Sequence, residues 1–134
     1  PFQIKGLKRR PVICCCAVIC TLRYIFVIHE GYDRELALQS VGDGWASLVN
    51  EVFDMMSTMK TSVKIIQVKE KWGGLRIYTD VMHGVLDKRI IDVEQRSFEI
   101  CETCGNPGAL RSGGWYQTLC DVHGDNRPIV KNPV

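Results

Sequence analysis

Two pairs of soft metal ligands, each with two residues between its members, constrain this chain more than any other feature. The first is Cys101-Glu-Thr-Cys104-Gly105; the second, after fifteen intervening residues, is Cys120-Asp-Val-His123-Gly124. Thiolates and an imidazole spaced in this way can each clasp one edge of a tetrahedron, and the intervening length is enough for a turn or short hairpin that brings the pairs together. Gly105 lets the backbone turn so that amide hydrogens point at the sulfurs. Pro107, Gly108, Gly113 and Gly114 supply further turns, with residues 109–111 and 115–119 as candidate short strands.

If Cys101, Cys104, Cys120 and His123 fill all four positions, no coordination place remains for water or substrate, so a zinc ion held there is structural. Its binding is then coupled to local folding. Two other readings of these residues stay open at this stage: a Cys101–Cys104 disulfide, or a chance spacing with His123 merely on the surface. The pattern is similar to a zinc-ribbon or treble-clef-like knuckle. The chain has seven cysteines, and an odd number cannot all pair internally, which argues against a closed disulfide framework. Cys14, Cys15, Cys16 and Cys20 lie in an apolar run far from the ligand pairs and need a separate explanation. Thiolates kept reduced favour a cytoplasmic location.

That apolar run belongs to an N-terminal stretch in which Lys5, Lys8, Arg9 and Arg10 precede Val12–Ile28, interrupted by Arg23. Membrane attachment through residues 11–28 is one reading, but the run is short for a span and Arg23 within it would cost about 2–3 kcal/mol. A secretory signal lacks its small-residue cleavage site. A soluble strand suits the β-branched content. Residues 1–30 are expected to lie outside the functional domain, as a fragment edge or upstream extension. Charge is uneven as well: a basic head is followed by an acidic second quarter, Asp33, Glu35, Asp43, Glu51 and Asp54 against the single base Arg34 in residues 31–59.

Within 134 residues, 46% hydrophobic and 24% charged, there is enough apolar material for one core, which excludes wholesale disorder. Trp45, Leu48, Val49, Val52, Phe53, Met56 and Met59 recur at helical spacing, and Asp43 is the expected N-cap. The methionines there read as core or near-core residues rather than a binding groove. Two β-branched runs, Val63–Val68 and Leu75–Thr79, flank a turn containing Gly73 and Gly74 and predict a hairpin. Leu86, Ile90, Val93, Ser97 and Ile100 place a second helix over 84–100. The expectation is an α+β fold: a small antiparallel hairpin packed by two helices (31–100), the knuckle (101–124) and a tail (125–134).

Lys69, Lys71, Trp72 and Arg76 surround the hairpin turn, with Glu70 among them. A ring flanked by cations could stack on a nucleobase while the cations meet phosphates; alternatively Trp72 folds back on the core and the lysines solvate a hairpin tip. Arg111 and the Gly113–Trp115 segment form a second candidate surface. Neither cluster is basic enough to predict tight nucleic-acid binding. For catalysis the chain is poor: no Walker loop, dinucleotide fingerprint, nucleophile elbow or deaminase-type His-x-Glu is present. His29 and His83 stand alone. Cys104 with His123 could be a nucleophile and base, but ligation explains their spacing better.

The combination of GDGW at 42–45, VKEKWGGLRIY at 68–78 and the CxxC…CxxH segment at 101–123 resembles a group of small, largely uncharacterised bacterial and bacteriophage proteins with a KEKFGGLRFY-like hairpin and a C-terminal zinc knuckle. Trp72 stands where that group has Phe. The resemblance spans about residues 40–124 and implies no known activity. The expected function is therefore a non-enzymatic, zinc-stabilised binding module, contacting a nucleic acid or a protein through the hairpin tip and knuckle surface. The alternative is a protein-binding inhibitor or adaptor with no nucleic-acid affinity, using its acidic first helix; host interaction or anti-defence would be the setting that the resemblance suggests.

Overall fold

A computed structural model describes residues 31–131. The readings made for residues 1–30, the membrane segment and the four-cysteine run among them, fall outside the described residues, as does the end of the tail. Among the described residues no helix is long and apolar enough to cross a membrane.

Helix α1 (Arg34–Gln39) starts where the Asp33 carboxylate accepts the Leu36 amide at 2.7 Å. Its one turn and a half is too short to show a helical period, and the sequence reading does not place it. A 3-10 turn (Asp43–Trp45) then leads into α2 (Ala46–Met59). Asp43 was expected to cap this helix; instead it lies inside the turn, with Gly42 at the N-cap position and no side-chain cap bond. The entry angle is set by what the turn packs against, described below, and not by local capping. Trp45, Leu48, Val49 and Val52 are buried as spaced, and α2 ends at Lys60, whose left-handed backbone returns its amide to Met56 O.

β1 (Ile65–Lys71) and β2 (Gly74–Thr79) pair antiparallel. Within the expected turn region the two turn residues are Trp72 and Gly73, and Gly74 belongs to the strand: Lys71 pairs with Gly74, and both turn residues have positive φ, 58° and 77°. This is the primed two-residue turn whose twist matches the strands. A register irregularity between Ile65 and Gln67 brings Ile65 and Val68 to the core face despite their odd spacing. The outer edge of β2 is covered, since Leu75 N donates to Ser97 Oγ at 2.9 Å and Ile77 N to Glu94 Oε1 at 2.9 Å.

Those acceptors come from α3 (Gly84–Arg96) and the 3-10 turn that extends it (Ser97–Glu99). Leu86, Ile90, Val93 and Ser97 are buried at the anticipated spacing. They complete one core with Leu48, Val49 and Val52 of α2 and Val68, Leu75 and Ile77 of the hairpin. Full burial of each such aliphatic side chain stabilises by about 1.5–3 kcal/mol. The chain closes with β3 (Ala109–Arg111), β4 (Gln117–Leu119), paired antiparallel, and the single turn α4 (Asp121–Gly124). The fold is thus mixed helix and sheet, compatible with the α+β expectation, with two small antiparallel sheets.

An ion network joins the two long helices at their rim. Glu51 accepts from Arg89 at 2.6 Å and Arg96 at 2.7 Å, and Arg96 also meets Asp92 at 2.9 Å. The hydrogen bond from Arg96 holds the Glu51 carboxyl below its ordinary 4.5, against partial burial and with the help of both guanidinium charges. A folded value below the unfolded one means the contribution is present above pH 4.5 and lost as the pH falls below it. Glu51→Gln is expected to lower stability by about 1 kcal/mol at neutral pH. In denaturant titrations the gap between variant and parent should shrink as the pH falls below 4.5, and a pH-independent gap would contradict the network's role.

Candidate metal centre

The first ligand pair sits on a tight turn. Cys101 N donates to Asn106 O at 2.8 Å and Gly105 N to Cys101 O at 2.9 Å, with Gly105 at φ 77°. The second pair is carried by the start of α4: Cys120 is its N-cap residue, and Gly124 N returns to Cys120 O at 2.8 Å, which turns His123 back toward the thiols. Cys101 Sγ lies 3.6 Å and Cys120 Sγ 3.2 Å from His123 Nδ1, and Cys104 Sγ lies 3.8 Å from Cys120 Sγ. All four ligand atoms fall within 4.8 Å of one another. A tetrahedron with ordinary metal–sulfur and metal–nitrogen bonds requires edges of about 3.8 Å between sulfurs and about 3.6 Å from sulfur to nitrogen. Cys101, Cys104, Cys120 and His123 therefore form a group that could hold a metal ion through Nδ1 and three sulfurs. All three cysteines are free, so no Cys101–Cys104 disulfide is formed.

The electrostatics suit a cation. Burial pushes the Cys101 thiol up, but the backbone amides of Cys120, Cys104 and Thr103 outweigh it and hold it at about 6. The His123 amide lowers Cys120, and His123 is in turn raised by its contacts with Cys120 and Cys101. Cys104 lies higher, since burial and its two thiol neighbours overcome the Asn106 amide, the largest influence on it. The direction of the Cys101 shift favours the thiolate, the form that ligation requires.

Glycines weld this turn to the helical core. A Cβ on Gly44 would stand 2.0 Å from Cys101 O and 2.5 Å from Gly105 N, and one on Gly42 2.1 Å from Glu102 O. Gly44 N donates to Glu102 O at 2.9 Å, and Trp45 Nε1 to Ile100 O at 2.9 Å. The GDGW segment is therefore the seat on which the first ligand pair rests, a role its sequence did not reveal. On the other side Thr118 Oγ1 donates to Gly73 O at 2.6 Å, fixing the hairpin tip to β4.

Of the proposed partner-contacting residues, Arg111 is a correction. Expected on the surface, it is 6% exposed. Its guanidinium donates to Leu119 O at 3.1 Å, to Arg127 O at 3.1 Å and to Asp121 Oδ1 at 2.5 Å. A buried cation must be paired and hydrogen-bonded, and Arg111 meets that need by tying β4, α4 and the segment after α4 together. The lack of a Cβ on Gly124 makes room for it.

The other candidates are at the surface. Trp72 does not fold back onto the core and is 66% exposed; Trp115 is 69% exposed. Lys69 Nζ lies 5.0 Å from the Tyr78 ring centroid, Arg76 lies 5.6 Å from that of Phe98, and Lys71 is exposed. Trp72 meets Tyr116 at 6.2 Å between centroids, and the two surfaces anticipated separately, at the hairpin tip and beside the metal, line one cleft with Glu70 and Gly114. Tyr116 and Arg127 were not singled out from sequence. Arg127 donates to Ser112 O at 3.2 Å, to Gln117 Oε1 and to Trp115 O, and lies 5.7 Å from the Trp115 ring centroid. The adjacency of Tyr116 to Trp115 was the available hint for the first; nothing local marked the second.

Comparison of the chain with family models, with curated proteins and with solved structures gives no match in any of the three.

Proposed function

We propose that this chain is a non-enzymatic binding module whose knuckle is held by a structural zinc ion and whose contact surface is the face where the hairpin tip meets that knuckle. One observation carries the reading. Trp72 and the Trp115–Tyr116 pair, far apart in sequence, meet as exposed rings where the hairpin tip reaches the β3–β4 connection. Exposed aromatic rings grouped on a rigid scaffold are typical of recognition surfaces, because they bury much area for little lost side-chain freedom. Three sulfurs and one imidazole nitrogen suit zinc, and four protein ligands leave it no catalytic position. The second ligand pair rides a helical turn, which supports the treble-clef-like form of the knuckle over a ribbon.

The partner we favour is a protein. Acidic residues outnumber basic ones among the described residues, and the cleft lining includes a carboxylate and no cation. Nucleic acid is the second reading, motivated by Lys69, Lys71 and Arg76 on the hairpin. Kinship with the small bacterial and bacteriophage proteins, and with it a host-interaction setting, is proposed on motifs alone.

Elemental analysis of protein purified without added zinc should give about one zinc per chain; iron, or no metal with Cys101 and Cys104 oxidised together, would overturn the metal assignment. A salt titration with a short single-stranded oligonucleotide decides the partner class. Affinity that falls steeply with salt would favour nucleic acid over protein.

A further inference from the structure

Rings at the edge of this molecule are paired with cations in a regular way. Arg34 lies 5.5 Å from the Phe53 centroid, Lys69 5.0 Å from Tyr78, Arg76 5.6 Å from Phe98 and Arg127 5.7 Å from Trp115. Each is within the range at which a cation is attracted to the negative face of a ring. Among the described residues Trp72 and Tyr116 have no such partner, and they meet, tilted by 50°, in a cleft of about 260 Å³ completed by Trp115, Gly114 and Glu70. The only charge in that lining is the Glu70 carboxylate. Its Oε1 accepts the Gly73 amide at 2.6 Å, which fixes the carboxylate at the base of the turn.

Aromatic faces converging beside one carboxylate make an environment that attracts a cation with an apolar shell and offers little to a phosphate. We propose that this cleft recognises a quaternary or methylated ammonium group, carried by a small molecule or by a methylated lysine of a partner protein, with Trp72 and Tyr116 against the methyl groups, Trp115 completing the wall and Glu70 supplying the opposite charge. The inference rests on the reading of this face as the contact surface. Methylation favours binding because it lowers the hydration that an ordinary ammonium would have to shed while leaving its charge.

The test uses the full metal-bound chain, with the indole N–H signals of Trp72 and Trp115 followed by NMR. The probes are tetramethylammonium, a short peptide with one trimethyllysine, the same peptide with unmodified lysine or with neutral norleucine, and a single-stranded oligonucleotide. Trimethyllysine peptide should shift both indoles and bind about tenfold or more tighter than the norleucine peptide. Tetramethylammonium alone matching the peptide would identify a small-molecule source, and a clear advantage for the peptide a protein source; both support the proposal. Glu70→Gln, which keeps an oxygen acceptor for the Gly73 amide, should weaken binding about tenfold. Trp72→Asn should abolish it without unfolding, since asparagine tolerates the left-handed turn position. Equal binding of the norleucine peptide, or indoles unmoved by every cation, overturns the proposal. If the oligonucleotide still moves them, the contact-face reading survives; if no probe or captured partner does, that reading falls too.

Discussion

Chelation at neutral pH is expected to unfold the knuckle and leave the helical core standing. The apolar cluster of the knuckle consists of Cys101, Leu119 and Cys120, far too little to fold by itself, and two of its three members are ligands. For small structural sites the apparent zinc-binding free energy is about 10–16 kcal/mol, and that energy is folding energy. The core of α2, α3 and the hairpin has its own continuous packing and includes none of the four candidate ligands. Hydrogen exchange should therefore lose protection at Glu102, Gly105 and Gly124, whose amides bond within or across the knuckle, while amides within α2 and α3 keep theirs. The thiols of Cys101, Cys104 and Cys120 should become reactive together. Because the thiols must be deprotonated to ligate, metal binding releases protons, and acid should release the metal. Knuckle amides that stay protected in excess chelator would refute a metal-held knuckle.

Gly44→Ala is expected to be the most damaging methyl group that can be added to the core side of the site. The new Cβ would meet Cys101 O at 2.0 Å and Gly105 N at 2.5 Å, both backbone atoms that no rotamer change can clear. Either the 3-10 turn or the ligand turn must move, and the bond from Gly44 N to Glu102 O goes with it. Overpacking of this kind costs about 1–3 kcal/mol, and with the lost hydrogen bond the total should reach about 3 kcal/mol or more. Displaced ligand supports lower metal affinity by about 10–100-fold, so competition with a chromophoric chelator should show a weaker site in the same variant. Gly84→Ala is the control: nothing lies within 4 Å of its Cβ, it opens α3, and it should be neutral or stabilise by up to about 1 kcal/mol. Equal effects at the two positions would show that the Gly44 contact does not matter.

How legible the molecule was from its sequence depended on whether the signal was periodic or chemical. The spacing of Leu48, Val49 and Val52, and of Leu86, Ile90 and Val93, placed the long helices because one apolar face must be buried over several turns. Helix α1 escaped because its six residues make too few turns for a face to show. The hairpin was placed, but its turn was drawn wide enough to include Gly74, whereas Gly74 is needed in the strand to admit the Phe98 ring and Trp72 takes the left-handed position. Arg111 was misread because a charged side chain is a surface residue by default, and only a closed set of acceptors brings one inside.

The sequence alone picked out the four candidate ligands, Cys101, Cys104, Cys120 and His123, because coordination chemistry demands those atom types and their short spacings are covalent facts. It also determined the two long helices and the hairpin, through the period of their apolar residues. Tertiary structure decided what the ligand cluster rests on and which exposed rings come together. Gly42 and Gly44 matter through backbone atoms more than fifty residues away. Trp72, Trp115, Tyr116 and Glu70 become one cleft only when Thr118 fixes the hairpin tip to β4. Both depend on close approach between segments distant along the chain, and such contacts leave no periodic trace in either segment.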